Sequence, residues 1–210
     1  MERENTEKIY THYAGIYDLL FDRVFDPGRR LAVESLEVTL QDRVLIVGIG
    51  TGLSLGYFPR EALLTGIDIS EAMLTEAGEK TSEMGFRNLE LVRMDASRML
   101  FPDDTFDKVY LPHMLSTVRS PERVLSEVVR VSKPGARIAI LNHLRSRNRF
   151  IGFWERVLSP VTARIGFRLD LPVATVASQP GLGIQSIQKV NFLRLWHLLV
   201  CQNQQDSSTS

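Results

Sequence analysis

Three glycines at alternate positions, Gly48, Gly50 and Gly52, interrupt the sequence where an apolar run, "VLIV", comes to an end. A strand, a glycine-rich turn and a helix together make a site for an anionic or polar ligand. Missing Cβ atoms let the ligand approach the backbone, and the amides at the helix N-terminus point at it. Two aspartates belong to the same pattern: Asp68 closes a second apolar run and Asp95 a third. A carboxylate at a strand end can accept from ribose hydroxyls or from a nucleobase amino group. The glycine spacing is G-x-G-x-G, whereas a dinucleotide fingerprint would need G-x-G-x-x-G and position 53 is Leu. The four histidines and the single cysteine show no metal-ligand spacing, so no metal is expected.

These residues need elements to position them. "RVLIVG" is a buried strand, "LLTGIDIS" holds a second ending near Asp68, "LELVRMDAS" a third and "FDKVYLP" a fourth, halted by Pro112. Between the second and third, Ser70 is an N-cap with Glu71 in the first turn, and Gly85 stops that helix after Met84. Ser120 followed by Pro121 begins another helix, whose apolar face is Val124, Leu125, Val128 and Val129. "KPG" turns the chain into a fifth strand, "RIAILN". Strands alternating with helices predict a parallel α/β sheet. "GIQSIQKV" and "LWHLLVCQ", joined by "NFLR", predict an antiparallel hairpin at its edge.

Upstream, Ile9, Tyr10, Tyr13, Ile16, Tyr17, Leu20, Phe21 and Val24 fall at helical spacing. Asp26-Pro27-Gly28 interrupts the pattern, and 29–39 are helical again. The expected organisation is one domain over 1–210. N-terminal helices (1–39) act as a lid, 40–143 form the ligand-binding core, 144–176 are an insertion, and 177–203 are the hairpin. The chain has 210 residues and a net charge of zero, which leaves no global field to attract nucleic acid or a membrane. One cysteine, Cys201, permits no intrachain disulfide. "MERENTEK" lacks a signal-peptide core, and no apolar run reaches the roughly 18–20 residues that span a bilayer. A cytoplasmic protein, monomeric and peripherally associated with the inner face of the membrane, is expected.

The glycine loop, Asp68 and "MDASRMLFPDDTFDKVYLP" together resemble the class I S-adenosylmethionine-dependent methyltransferases, closely over 40–142. The resemblance implies an α/β Rossmann-like fold, with a seven-stranded, mostly parallel sheet and a C-terminal antiparallel hairpin. It implies S-adenosyl-L-methionine as cofactor and S-adenosyl-L-homocysteine as product. Gly48, Ile49, Gly50, Thr51 and Gly52 would hold the methionine part, Asp68 the ribose, and Asp95 with Ala96 the adenine. Ile69 and Met73 would pack near the adenosine, and Leu111, after the fourth strand, would border the sulfonium. Many members carry an acid two residues before the first glycine; here that position is Ile46.

"YDLLFDRVFDPGRRLAVESL", "GTGLSLGYFP" and "ILNHLRSRN" are similar to the small bacterial phosphatidylethanolamine N-methyltransferases, with quinone-biosynthesis methyltransferases as the nearest rival. A phosphatidylethanolamine-type lipid is then the expected substrate and an anionic membrane surface the expected partner. The residues support a lipid independently. From His143 to Arg168 there are six arginines and one acid, Glu155, interleaved with Phe150, Ile151, Phe153, Trp154 and Phe167. An aromatic face bordered by arginines suits an anionic bilayer. An ethanolamine ammonium must lose a proton before it can accept a methyl group, and burial or a nearby base assists. Tyr13, Tyr17, His113 (beyond strand four) and His143 (beyond strand five) are the catalytic candidates. Tyr13 and Tyr17 would close over cofactor and amine, with cation–π contact to a methylated ammonium. Asn142 and Arg145 would bind the phosphate. A nucleotide-binding oxidoreductase and a noncatalytic lipid-surface module are the readings from other classes.

Overall fold

The computed structural model describes residues 26–144, 171–191 and 196–205. The expected lid residues Tyr13 and Tyr17, Arg145, and nearly all of the basic aromatic insertion lie outside them.

The strands form one seven-stranded sheet. In chain order they are β1 (Arg43–Val47), β2 (Leu63–Asp68), β3 (Leu89–Arg93), β4 (Phe106–Pro112), β5 (Ser132–His143), β6 (Leu182–Val190) and β7 (Trp196–Asn203). Their spatial order is β3-β2-β1-β4-β5-β7-β6. The first five pair in parallel, and β7 runs antiparallel between β5 and β6. A helix over 26–36 (α1), α2 (Glu71–Met84), α3 (Pro121–Val131) and the short α4 (Val173–Ala177) accompany the sheet. This is the Rossmann-like methyltransferase architecture.

Burial follows from position in the sheet. Val44 to Val47 are at most 1% exposed, because a central parallel strand is covered on both faces and needs no polar alternation. On one face Leu45, Val47, Val109, Leu111, Ile138 and Ile140 pack with Val124, Leu125 and Val128 of α3. On the other, Val44, Ile46, Tyr110 and Leu141 pack with Ala32, Val33 and Leu36 of α1. β1 lies between β2 and β4, so the strand order reverses there and the C-terminal strand ends open a crevice.

The limits of α2 match its signals: Ser70 Oγ accepts from the Met73 amide, and Gly85 ends the helix at φ 75°. Ser120 is the N-cap of α3 with Pro121 in the first turn, as its sequence signal implies, although its side chain makes no cap hydrogen bond. Four local expectations are corrected. Asp26, Pro27 and Gly28 are themselves helical and belong to α1, where the sequence predicts a break in the helical pattern. "KPG" is not a turn ahead of β5 but a bulge within it. Ser132 pairs with Phe106 and Arg137 with Lys108, and Gly135 takes φ 79° in the irregular stretch. Leu111 is inside β4 opposite Ile140, and His143 is the last residue of β5 rather than beyond it.

Candidate active site

The three loop glycines all have positive φ, and each has a different reason for lacking a side chain. A Cβ at Gly48 would lie 2.7 Å from Met114 Cβ, and one at Gly52 would lie 2.8 Å from Leu55 Cδ1. Those two let the loop pack tightly. At Gly50 a Cβ would meet nothing within 4 Å, so the middle of the loop borders open space. The Gly48 and Ile49 amides both donate to Ile67 O, at 2.8 and 3.0 Å, which fixes the loop to the end of β2. Ile49 is 7% exposed, and a Cβ on Gly66 would run into its side chain. Its side chain thus belongs to the core, and only its backbone can face a ligand. Thr51 is likewise buried.

Asp68 ties this loop together. One carboxylate oxygen accepts from the Gly50 amide at 2.9 Å and the other from the Ser70 amide at 3.0 Å. Burial raises its pKa, and the amides of Ser70, Gly50 and Ile69 oppose that rise. A carboxylate has about four lone-pair sites, so two such bonds leave capacity for hydroxyl donors. Beside it, Ile69 is 50% exposed while Met73 is 7% exposed. The open space at Gly50 next to a partly satisfied acid fits the cofactor named by the resemblance.

Asp95 lies just beyond β3. Its Oδ1 accepts from the Ser97 amide at 2.9 Å and the Ser97 hydroxyl at 2.7 Å, which folds Asp95 and Ala96 into a tight turn. The segment that follows is clamped to α3. Arg130 donates to Met99 O at 3.0 Å, Phe101 O at 2.9 Å and Asp103 Oδ1 at 2.6 Å, and forks onto both oxygens of Glu127. Glu127 also accepts from the Met99 amide at 2.7 Å. The Arg130 hydrogen bond leads the effects that lower the Glu127 pKa.

Above β4 and β5 the interior is polar. Tyr110 and Ser54 share a 3.3 Å hydroxyl contact. Arg29 of α1 is 3% exposed and lies 3.6 Å from Asp26, which itself accepts from the Tyr57 hydroxyl. His113 follows β4 at φ 54°, its amide donating to Leu141 O at 2.6 Å. Burial first, then Arg29 and His143, lower its pKa to about 3. His143 stands edge-on to Trp196, ring centroids 5.5 Å apart, and burial lowers its pKa to about 4. Both rings are neutral at pH 7. Asn142 is 0% exposed, with Nδ2 donating to His143 O at 2.8 Å. Leu111 is 0% exposed with its side chain in the core.

Sequence reasoning passed over Arg29, the Arg130–Glu127 clamp and His197, which lies opposite Asn142 across β5 and β7. The antiparallel hairpin was legible, but the residue facing Asn142 depends on a register that no local signal carries. Among the described residues, no group of histidine, cysteine and acidic side chains could hold a metal ion, and no helix is long and apolar enough to cross a membrane.

Comparison with known proteins agrees with this geometry. Residues 45–140 match the methyltransferase domain family. The chain is 37% identical over 185 residues to a phosphatidylethanolamine N-methyltransferase of Cereibacter sphaeroides, covering 88% of this chain and 90% of that one. It is 30% identical over 156 residues to a demethylmenaquinone methyltransferase of Symbiobacterium thermophilum, covering 72% of this chain and 62% of the relative. Among solved structures, a methyltransferase of Haloferax volcanii in complex with the Trm112 activator superposes with TM-score 0.75 at 18% identity, over 93% of this chain and 98% of that one. A geranyl diphosphate C-methyltransferase of Streptomyces coelicolor superposes with TM-score 0.69 at 12% identity, over 84% and 75%.

Proposed function

Because the chain belongs to the class I S-adenosylmethionine-dependent methyltransferases, we propose that its acceptor is the amine of phosphatidylethanolamine and of its partly methylated forms. The observation that carries this reading is the extent of likeness. The chain spans 90% of the phosphatidylethanolamine N-methyltransferase at 37% identity, but 56% to 69% of the quinone-pathway relatives at 29% to 34% identity. The arginine-rich aromatic stretch from His143 to Arg168 supports a lipid surface over a soluble acceptor.

The cofactor, when bound, supplies an electrophilic methyl group on a positively charged sulfur. The chain's own residues have these parts in the reading. The glycine-loop amides and Thr51 hold the amino-acid end, and the freedom of Gly50 from neighbours supports that role. Asp68 takes the ribose hydroxyls. Asp95 and the Ala96 amide take the adenine, with Ile69 and Met73 flanking it. Tyr13 and Tyr17 close over the amine, excluding water and stabilising its positive charge. His113 and His143, kept neutral by burial, accept hydrogen bonds from donors in the crevice. Arg145 forks onto the lipid phosphate.

The test uses purified protein with radiolabelled S-adenosylmethionine and two acceptors, phosphatidylethanolamine vesicles and a demethylated quinone in detergent. Label in the phospholipid and none in the quinone is expected. Label in the quinone alone would move the protein to the quinone pathway. Vesicle binding with label in neither would make it a noncatalytic lipid-surface module.

A further inference from the structure

Three polar residues stand side by side across the last three strands of the sheet. Asn142 of β5 is directly opposite His197 of β7, and His197 is directly opposite Lys189 of β6. Directly opposed residues share a face, so the three form one row about two strand spacings, or roughly 10 Å, long. Burial falls along it: Asn142 is 0% exposed, His197 is 8% exposed, and Lys189 is at the surface. Two atoms of the row are buried with no hydrogen-bond partner, Asn142 Oδ1 and His197 Nδ1. Buried polar atoms are almost always hydrogen-bonded, so two unmet ones on adjacent strands of one face point to a ligand that completes them.

The chemistry of that ligand can be stated. Asn142 Nδ2 donates to the His143 carbonyl, which fixes the amide orientation and leaves an oxygen as the unmet atom. The group that completes it must bring an N–H or O–H donor, so a phosphate would not. We propose that Asn142 Oδ1 and His197 Nδ1 together receive the acceptor amine, with His197 taking its proton and Lys189 pairing with the phosphate at the rim. The inference rests on the phospholipid reading and assigns the deep and shallow ends of its head group. In the proton step one N–H bond of the ammonium breaks, its electron pair stays on nitrogen, and the proton bonds to Nδ1 of the neutral imidazole. The free amine then has the lone pair that methylation requires. Burial, then Lys189, lower the His197 pKa. Lys189 on β6 is the charged neighbour on its face, while His143, next to Asn142 on β5, is directly opposite Trp196 and so lies on the other face of the sheet.

Calorimetry with short-chain phosphatidylethanolamine and phosphatidylcholine, on protein saturated with S-adenosylhomocysteine, reads the amide directly. A trimethylammonium group has no N–H, so wild type should prefer the ethanolamine lipid by about tenfold. Asn142→Leu should reduce that preference to near unity with homocysteine-cofactor affinity unchanged, and Asn142→Ala repeats the comparison should the first variant misfold. His197→Gln should lower kcat at least thirtyfold at pH 7. The deficit should shrink towards pH 9.5, as the amine, with an alkylamine pKa near about 10, loses its proton unaided. His197→Phe should be as inactive yet melt no lower than wild type. A purely structural histidine would give parallel losses of Tm and activity and a pH-independent deficit, and that result, or retained lipid preference in both Asn142 variants, overturns the proposal. Wild type that neither binds nor methylates the ethanolamine lipid overturns the phospholipid reading itself.

Discussion

Gly50 and Gly52 make opposite predictions from the same backbone preference. Both have positive φ, so alanine at either strains the backbone by about 1–2 kcal/mol. Gly50→Ala puts its methyl into the open space of the crevice and should weaken S-adenosylhomocysteine binding more than tenfold, with only that modest loss of stability. Gly52→Ala drives a methyl into Leu55 and should mainly lower the melting temperature. Asp68→Ala removes the acid in the proposed ribose contacts and also frees the Gly50 amide. Two charge-assisted bonds at about 1.5 kcal/mol each make a loss of at least a hundredfold in calorimetric affinity. The histidines set a pH dependence. Their folded pKa values, about 3 for His113 and about 4 for His143, are below the unfolded value near 6.5. The unfolded chain therefore binds protons that the folded one refuses. Stability is full above pH 6.5 and falls between about 6.5 and 4, by about 1.4 kcal/mol per pH unit for each histidine. Urea titrations from pH 8 to pH 4.5 should show that slope, and His143→Gln should reduce it. The carboxylates and glycines were legible from their types and spacing alone. The proton chemistry was not, because burial decides it and burial depends on what packs above the strand ends.

At the scale of elements, the Arg130–Glu127 clamp joins α3 to the segment after Asp95. Arg130→Ala leaves the Met99 and Phe101 carbonyls without their donor and should cost about 2–3 kcal/mol by denaturant unfolding. If that segment shapes the adenine end of the site, the same variant should raise the cofactor KM and leave kcat little changed. α2 was legible to the residue, since Ser70, Glu71 and Gly85 are local signals with local causes. The hairpin was legible from two runs with a short link. The bulge at Gly135 was not, because "KPG" satisfies a turn as well as an irregular strand, and only pairing with Phe106 and Lys108 distinguishes them. Nor was the position of β7 inside the hairpin pair, against β5, which sets Asn142 opposite His197.

At the scale of the whole molecule, a chain with no net charge is proposed to reach its lipid through one basic segment. Each arginine near an anionic surface contributes about 1 kcal/mol, and salt screens it. Vesicle flotation should therefore improve with anionic lipid and low salt, and Arg147→Glu with Arg149→Glu should weaken it while cofactor affinity stays constant. Flotation indifferent to lipid charge, salt and the double reversal would remove the segment from membrane recruitment. Removing residues 1–25 should lower turnover if Tyr13 and Tyr17 close the site, and unchanged turnover would leave them out of it. The central claim is the acceptor itself, and lipid mass spectrometry tests it most directly. The chain is expressed in cells that make phosphatidylethanolamine but no methylated derivative, beside the Asp68→Ala variant. The account predicts masses raised by one or more methyl groups on the ethanolamine head group with the wild-type chain and none with the variant; an unmethylated phosphatidylethanolamine pool alongside newly methylated quinone would contradict it.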